Sequence, residues 1–360
     1  MKIIKKIEIE GRKIGKDEPC FIIAEAGANF RISQNSDENF KQALKLIDIA
    51  AEAKADSVKF QLYRAKDLYV KNAGYAEYLG KKRSIYDIIE EMELPYNWIP
   101  KLIKYCNKKD IIFLCTPFDE ASVDILEKNN VQAYKIASYS INHLPLINHI
   151  AKKGKPIIFS TGSSNMTEIK KAVKIIKETG NNQIAMMQCT AKYPAPLRSM
   201  NLKVIPNLIE TFKVPVGLSD HSREPLIAPL GAVALGAKLI EKHFTSDNTL
   251  PGPDQEFAIL GNDLKKMVDY IRKLEEALGE EKKDILDEEK ELHDFARRYI
   301  YARVDIVKGE KLSKENLAIL RPGKERKGIE PPKLYEILGK KASMNIKKGE
   351  PINERCISKD

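Results

Sequence analysis

Short apolar runs alternate with longer amphipathic stretches along most of this chain, and the alternation repeats eight times. The apolar runs cover residues 21–26, 57–62, 111–115, 133–136, 156–160, 184–189, 214–218 and 239–243. Helical spacing marks 38–53, 98–108, 121–128, 144–152, 166–179, 201–211 and 226–235 between them. A strand buried on both faces reads as a continuous apolar run, and strands separated by a helix pair in parallel. Eight such units over roughly 225 residues predict an α/β chain of the (β/α)8 TIM-barrel class. The alternative is an open doubly wound sheet. That fold carries a glycine-rich turn after its first strand, whereas the run 21–26 is followed by Gly27 alone.

The ends of the chain read differently. Residues 3–9 and 13–14 bracket a turn at 10–12, which predicts a small hairpin over the barrel floor. Residues 263–278 continue the helical pattern, and the highly charged stretch 281–297 reads as a helical linker. From residue 298 short strands alternate with turns, at 299–304, 306–309, 320 and 346–348. Val307-Lys308-Gly309-Glu310 is echoed by Lys347-Lys348-Gly349-Glu350. The expected organisation is a barrel at 1–280, a linker at 281–297 and a small β-rich domain at 298–360. A domain of that size is marginal alone, so it is expected to pack on its own barrel or on a partner's.

Composition excludes several classes. The net charge of +10 points to anionic partners. The lysines are spread over helical faces without interleaved aromatics, so no nucleic acid is expected. Residues 227–239 form the longest apolar stretch, too short and too rich in Gly and Ala to span a bilayer. Residues 1–10 alternate Ile with Lys and Glu, which reads as a strand and not as a secretory leader. No membrane association and a cytoplasmic location are expected. Five scattered cysteines without a CxxC pair argue against a disulfide framework or a zinc knuckle.

In a barrel of this kind the C-terminal ends of the strands carry the chemistry. That rule selects Glu25 and Asn29, Lys59 and Gln61, Thr116, Lys135 and Ser138, and Ser160-Thr161-Gly162. Further along it selects Gln188, Thr190 and Tyr193, then Ser219, Asp220 and His221, and last Lys242 and His243. Lys59 and Lys135 lie inside apolar strands, where lysine is rare unless paired. With neighbouring Ser and Thr hydroxyls they make either a pocket for phosphate or carboxylate, or two ion pairs with structural carboxylates. His221 and His243 end adjacent strands. They either share one divalent metal, with water or substrate completing its shell, or make separate hydrogen bonds. Glu25 is a candidate base or orienting group for a metal-bound water, or a plain salt-bridge partner.

At these residues the chain resembles the sialic acid synthase family: N-acetylneuraminate synthase and its legionaminic and pseudaminic acid relatives. The resemblance rests on Ile22-Ile23-Ala24-Glu25-Ala26-Gly27, Lys59-Phe60-Gln61, Thr116-Pro117-Phe118-Asp119, Lys135-Ile136-Ala137-Ser138 and Ser160-Thr161-Gly162. It continues through Cys189-Thr190 with Tyr193-Pro194, Gly217-Leu218-Ser219-Asp220-His221, Glu241-Lys242-His243-Phe244-Thr245 and Pro251-Gly252-Pro253-Asp254. Nine motifs in order, each at an expected strand end, cover nearly the whole chain. Residues 298–360, with Arg321-Pro322-Gly323 and Gly339-Lys340, resemble the family's antifreeze-like (SAF, β-clip) domain.

The resemblance implies a reaction and its residues. Phosphoenolpyruvate condenses with an N-acylmannosamine-type sugar and water, giving a nonulosonic acid of the N-acetylneuraminate or legionaminate type plus phosphate. Lys59, Thr116, Lys135, Ser138, Ser160 and Ser219 match positions that hold phosphoenolpyruvate. Gln61 is expected among the substrate-binding residues, Glu25 matches a catalytic carboxylate and is expected to act with Lys59 and Lys135 as the catalytic set, and Tyr193, Asp254 and Arg321 match positions facing the sugar. His221 and His243 match ligands of a divalent metal, manganese first, with magnesium or cobalt as alternatives. Arg321 would arrive from the partner in a domain-swapped homodimer. Four positions depart from the family pattern: Phe30, Ser140 after Tyr139, Ala191, and the basic run Lys324 to Lys327. All are expected on the sugar side or the rim, so the first substrate is kept while the second can differ. The alternatives are a pseudaminic acid synthase, another aldose acceptor, or a sugar-binding paralogue without turnover.

Overall fold

A computed structural model describes residues 6–75 and 83–358 of the chain. Two compact units divide it, Met1–Gly279 and Glu280–Asp360.

The first unit opens with a hairpin, β1 (Ile7–Ile9) and β2 (Arg12–Ile14), paired antiparallel with Ile7 opposite Ile14. Residues 3–5 of the longer strand expected from sequence lie outside the described residues. Eight strands follow: β3 (Phe21–Gly27), β4 (Ser57–Leu62), β5 (Ile112–Pro117), β6 (Tyr134–Ile136), β7 (Ile157–Ser160), β8 (Ile184–Cys189), β9 (Val216–Asp220) and β10 (Leu239–Thr245). All pair in parallel, in the order β5-β4-β3-β10-β9-β8-β7-β6, and β5 and β6 pack side by side to bring the ring to near closure. This is a TIM-type barrel, and a two-residue strand β11 (Ile259–Leu260) is added beside β10.

Alternation along each strand divides the apolar residues into two layers. Phe21, Ile23, Leu114, Ile158, Met187 and Leu239 point inward and pack with Ile7, Ile9 and Ile14, so the hairpin plugs the barrel interior. Ile22, Met186, Leu218, Ile240 and Phe244 point outward against the helices. The helices present matching stripes. In Met166–Glu178 the buried residues are Ile169, Ala172, Val173 and Ile176, one face of a 3.6-residue repeat. Its start is set by a capping box: Asn165 accepts from the amides of Thr167 and Glu168, and Glu168 accepts from the amide of Asn165 at 2.8 Å. Asn165→Ala would cost about 0.5–2 kcal/mol there. Two short helices, Ala65–Leu68 and Ile85–Glu91, add structure after β4 that the sequence pattern does not announce.

In the second unit β12 (Tyr299–Ala302) and β13 (Leu317–Leu320) pair antiparallel, and the rest is held by single bridges, Ile306 with Ile346 and Lys311 with Lys341 among them. The two echoing fragments form one turn twice. The amide of Val307 donates to Glu310 at 3.0 Å and that of Lys347 to Glu350 at 2.8 Å. Gly309 and Gly349 take φ of 87° and 84°, a conformation open chiefly to glycine. Ile300, Ile306, Leu312, Ile346 and Ile352 form the core of this unit. The stretch 281–297 is helical only in part: a 3-10 turn at Asp287–Glu289 leads into the short helix Lys290–Ala296, and 280–286 is irregular. Charge alone did not distinguish a helix from an extended solvated segment. Among the described residues no helix is long and apolar enough to cross a membrane.

Candidate active site

The C-terminal ends of the barrel strands converge on one buried cavity. Glu25, Lys59, Gln61, Thr116, Lys135, Ser138, Ser160, Tyr193, Ser219, His221 and His243 all line it, joined by Phe118, Ala137 and Glu241. Asp254 lines a wider outer cavity that shares Gln61, Ser138, Tyr193 and His243 with the inner one. Arg321 lies in the second unit and is exposed. A depression of about 820 Å³ at the opposite, N-terminal end of the strands is larger, but Glu10, Arg12, Lys54, Asp56 and Lys109 around it mix both charges, and Arg12 is paired with Asp56.

Glu25 is presented by a register shift between Glu25 and Gly27 in the β3–β4 ladder, a bulge that re-aims the strand end. Gly27 has φ of 51°, and a Cβ there would stand 2.9 Å from Asp254 Oδ2 and 3.4 Å from Glu25 Oε1. A side chain at this position would crowd both carboxylates. Gln61 Nε2 donates to Glu25 Oε1 at 2.7 Å, and Lys59 Nζ lies 2.8 Å from Glu25 Oε2.

The two lysines sit in unequal surroundings. Lys59 also donates to Thr116 Oγ1 at 3.0 Å. Burial works against its charge, but the carboxylates of Glu241 and Glu25 outweigh it and raise its pKa above the usual lysine range. Lys135 donates to Ser160 Oγ at 2.6 Å and has Glu241 Oε2 at 3.5 Å. Burial dominates there and lowers its pKa, with Glu241 offsetting only part of the effect. The Ser138 hydroxyl accepts from the amide of Gly162 at 3.0 Å, fixing the loop after β7.

Glu241 is the residue that strand-end reasoning passed over. Its Oε1 accepts from Ser219 Oγ at 2.9 Å, and its Oε2 lies 3.8 Å from Lys59 and 3.5 Å from Lys135. Burial would raise its pKa, but Lys135 and Lys59 hold it well below the usual carboxylate range. Period-two alternation was the available signal: Glu241 shares a face with Leu239 and His243. Lys242 faces the other way, toward the helices, as do Gln188, which donates to the Met200 carbonyl at 3.2 Å, and Asp220. Thr190 is tied to the Ser199 carbonyl at 2.6 Å and Asn29 to that of Phe244 at 2.8 Å. Those five, with Thr161, whose hydroxyl donates to the Met187 carbonyl at 3.0 Å, are corrections to the polar set read from sequence.

His221 and His243 face each other with ring centroids 5.3 Å apart, and Tyr193 stacks on His221 at 4.2 Å. His221 Nδ1 donates to the Thr190 carbonyl at 3.0 Å, which makes Nε2 the acceptor nitrogen of the neutral ring, with Cys189 Sγ 3.9 Å away. Burial, reinforced by His243, pushes the His221 pKa down to about 3, so the ring is neutral. His243 Nδ1 is buried, lacks a hydrogen-bond partner and lies 3.5 Å from Asp254 Oδ2. Among the described residues no cluster of three or more His, Cys, Asp or Glu could hold a metal. Two imidazoles with one orphaned nitrogen fit a divalent cation that takes its remaining ligands from water and substrate.

The outer cavity is lined by the apolar side chains of Leu68, Ile89, Met92 and Phe118, and by Tyr139 and Ser140. The Tyr139 hydroxyl donates to the Ala191 carbonyl at 3.1 Å. Phe30 does not reach this cavity: it is buried against Trp98, ring centroids 5.8 Å apart, in the helical layer. Its expected place on the sugar side is corrected accordingly.

Residues 46–283 match the NeuB family and residues 297–357 match the SAF domain. The spore coat polysaccharide biosynthesis protein SpsE of Bacillus subtilis is 46% identical over 346 residues, covering 92% of this chain and 91% of that protein. The N,N'-diacetyllegionaminic acid synthase of Campylobacter jejuni is 40% identical, over 92% of this chain and 98% of its own. The crystal structure of the N-acetylneuraminic acid synthetase of Leptospira borgpetersenii, in complex with citrate, aligns with a TM-score of 0.73 at 32% identity, covering 81% of this chain and 96% of that one. The chain belongs to the NeuB family of sialic acid synthases and is a sugar-acid-forming transferase, a barrel followed by a SAF domain.

Proposed function

We propose that this enzyme condenses phosphoenolpyruvate with an acylated amino sugar of the N-acylmannosamine type and water, giving a nonulosonic acid and phosphate. The observation that carries the reading is the pair of buried lysines, Lys59 and Lys135, beside the hydroxyls of Thr116 and Ser160 and next to the His221–His243 pair. A trianion of that size needs fixed cations and donors in a water-poor site.

Carbon 3 of phosphoenolpyruvate attacks the aldehyde carbon of the open-chain sugar, and the aldehyde oxygen takes up a proton. Water then adds to carbon 2, and phosphate leaves with its bridging oxygen as the carbon–oxygen bond breaks. Lys59, Lys135, Thr116, Ser138 and Ser160 hold phosphate and carboxylate and offset the developing charge. Glu25, fixed by Gln61, orients the water and takes its proton. A divalent cation on His221 and His243, manganese first, would supply Lewis-acid polarisation of the aldehyde oxygen. Tyr193 and Asp254 face the acceptor. In a domain-swapped homodimer Arg321 of one chain serves the barrel of the other, which would explain the expectation that so small a unit is marginal alone. Phosphoenolpyruvate is a metabolite of the cytoplasm, which supports a cytoplasmic enzyme.

The apolar lining of Leu68, Ile89, Met92 and Phe118, with Ser140 in place of a carboxylate, favours an acceptor rich in acetamido and deoxy positions over one rich in hydroxyls. The 2,4-diacetamido-trideoxy hexoses, precursors of legionaminic and pseudaminic acids, have that character. Phosphoenolpyruvate labelled with 18O at the bridging position tests the reaction. All label in the released phosphate is expected; label in the sugar acid would mean phosphorus–oxygen cleavage and would refute it.

A further inference from the structure

Lys242 is fully buried, and its ammonium is surrounded by oxygens of a single turn. Asp220 Oδ2 lies at 2.7 Å, the Ser222 carbonyl at 2.6 Å, Ser222 Oγ at 3.2 Å and the Glu224 carbonyl at 2.9 Å. Asp220 Oδ1 in turn accepts from the amide of Ser222 at 2.7 Å. All these groups belong to residues 220–224, the turn that leaves β9. Within that turn only His221 lines the inner cavity. Lys242 is itself held from both sides by ladders, opposite Asp220 on β9 and Ala24 on β3, and the next residue is His243. One outward-facing ammonium therefore ties the loop of one imidazole to the strand of the other.

Stability alone does not explain this arrangement. A buried ion pair is a poor source of stability, and a well-packed apolar pair of similar volume usually serves as well or better. An apolar pair cannot hold two backbone carbonyls in fixed places. Through the carbonyls of Ser222 and Glu224, Lys242 holds the chain immediately after His221, whose own carbonyl accepts from the Ala195 amide at 3.0 Å. Groups behind a metal ligand commonly set its orientation and the affinity of the site.

We propose that Lys242 is a positioning residue that fixes the His221 ring relative to His243 at metal-binding separation, acting through the 220–224 turn. The inference rests on the reading of His221 and His243 as the metal pair, and the test separates the two. Manganese binding to the full chain is measured by the loss of the free-ion electron paramagnetic resonance signal. Phosphoenolpyruvate binding and thermal unfolding are measured on the same samples. Wild type is expected to bind manganese and His221→Ala to lose it. Lys242→Met should bind manganese about 10- to 100-fold more weakly, with phosphoenolpyruvate binding kept. Lys242→Arg should recover most of the affinity. The double variant Asp220→Leu/Lys242→Met removes both charges; regained thermal stability with manganese affinity still lost supports positioning. Manganese affinity that returns together with stability would show a merely structural role and overturn the proposal. Wild-type affinity in Lys242→Met, with His221→Ala behaving as expected, would overturn the positioning role alone. No manganese binding by wild type would overturn the metal reading and this inference with it.

Discussion

Glu241 reaches across the barrel from β10 to stand 3.5 Å from the ammonium of Lys135 on β6, and the same oxygen lies 3.8 Å from Lys59. One carboxylate thus serves as counter-ion to both buried cations before any anion arrives. Glu241→Gln keeps the shape and removes the charge, leaving Lys135 without a carboxylate. Loss of one member of a buried charge cluster typically costs roughly 3–5 kcal/mol. Urea unfolding of the variant is expected to show a loss of that order, and phosphoenolpyruvate should restore more stability to it than to wild type, since the ligand supplies the missing charge. An unchanged unfolding midpoint would show that the lysines need no internal counter-ion.

Glu25 is held by Gln61 at 2.7 Å and by Lys59 at 2.8 Å, so its orientation does not depend on substrate. Glu25→Gln should fold and bind phosphoenolpyruvate yet lose turnover by about 10²- to 10⁴-fold, the usual range for a lost general base. Single-turnover kinetics separate this from slow product release. Near-wild-type turnover would remove Glu25 from the chemistry.

Lys135 gives a pH dependence with a definite sign. Its pKa lies below the usual 10.5 because burial outweighs Glu241. The charged form is therefore lost first as pH rises, while an ordinary lysine is still protonated. Anions bind the charged form, so phosphoenolpyruvate affinity should fall with rising pH below 10.5. Lys135→Arg, which stays charged, should flatten that fall in a calorimetric titration. An identical alkaline loss in both proteins would assign it to another group.

Exchange of the SAF domains predicts complementation. Glu25→Gln and Arg321→Ala chains, each impaired alone, should regain about one quarter of wild-type activity after random re-assortment in equal amounts, because half of the dimers then carry one intact site. Mixtures that remain as impaired as their components would place Arg321 on its own barrel or outside the site.

Much of this site is legible in sequence because strand ends in a barrel advertise themselves. Lys59 and Lys135 stand out in apolar runs, and His221 and His243 end neighbouring strands. What sequence reading missed follows from faces, not from positions along the chain. Lys242 and Glu241 are adjacent, and proximity to the strand end selects Lys242, while alternation sends Glu241 into the cavity and Lys242 behind it. Gln188 and Asp220 are misplaced for the same reason. Phe30, which departs from the family pattern, packs on Trp98 in the helical layer. The walls of the outer cavity were hidden because Leu68 and Ile89 sit on two short helices whose periods are too brief to register.

The most direct measurement is acceptor-dependent phosphate release from phosphoenolpyruvate with manganese, across N-acetylmannosamine, the 2,4-diacetamido-trideoxy mannose and altrose isomers, and arabinose 5-phosphate. Release with an acylated amino sugar, strongest with a diacetamido isomer and abolished by a chelator and by His221→Ala, is the expected result. No release with any acylated amino sugar, despite measurable phosphoenolpyruvate binding, would contradict the proposed reaction.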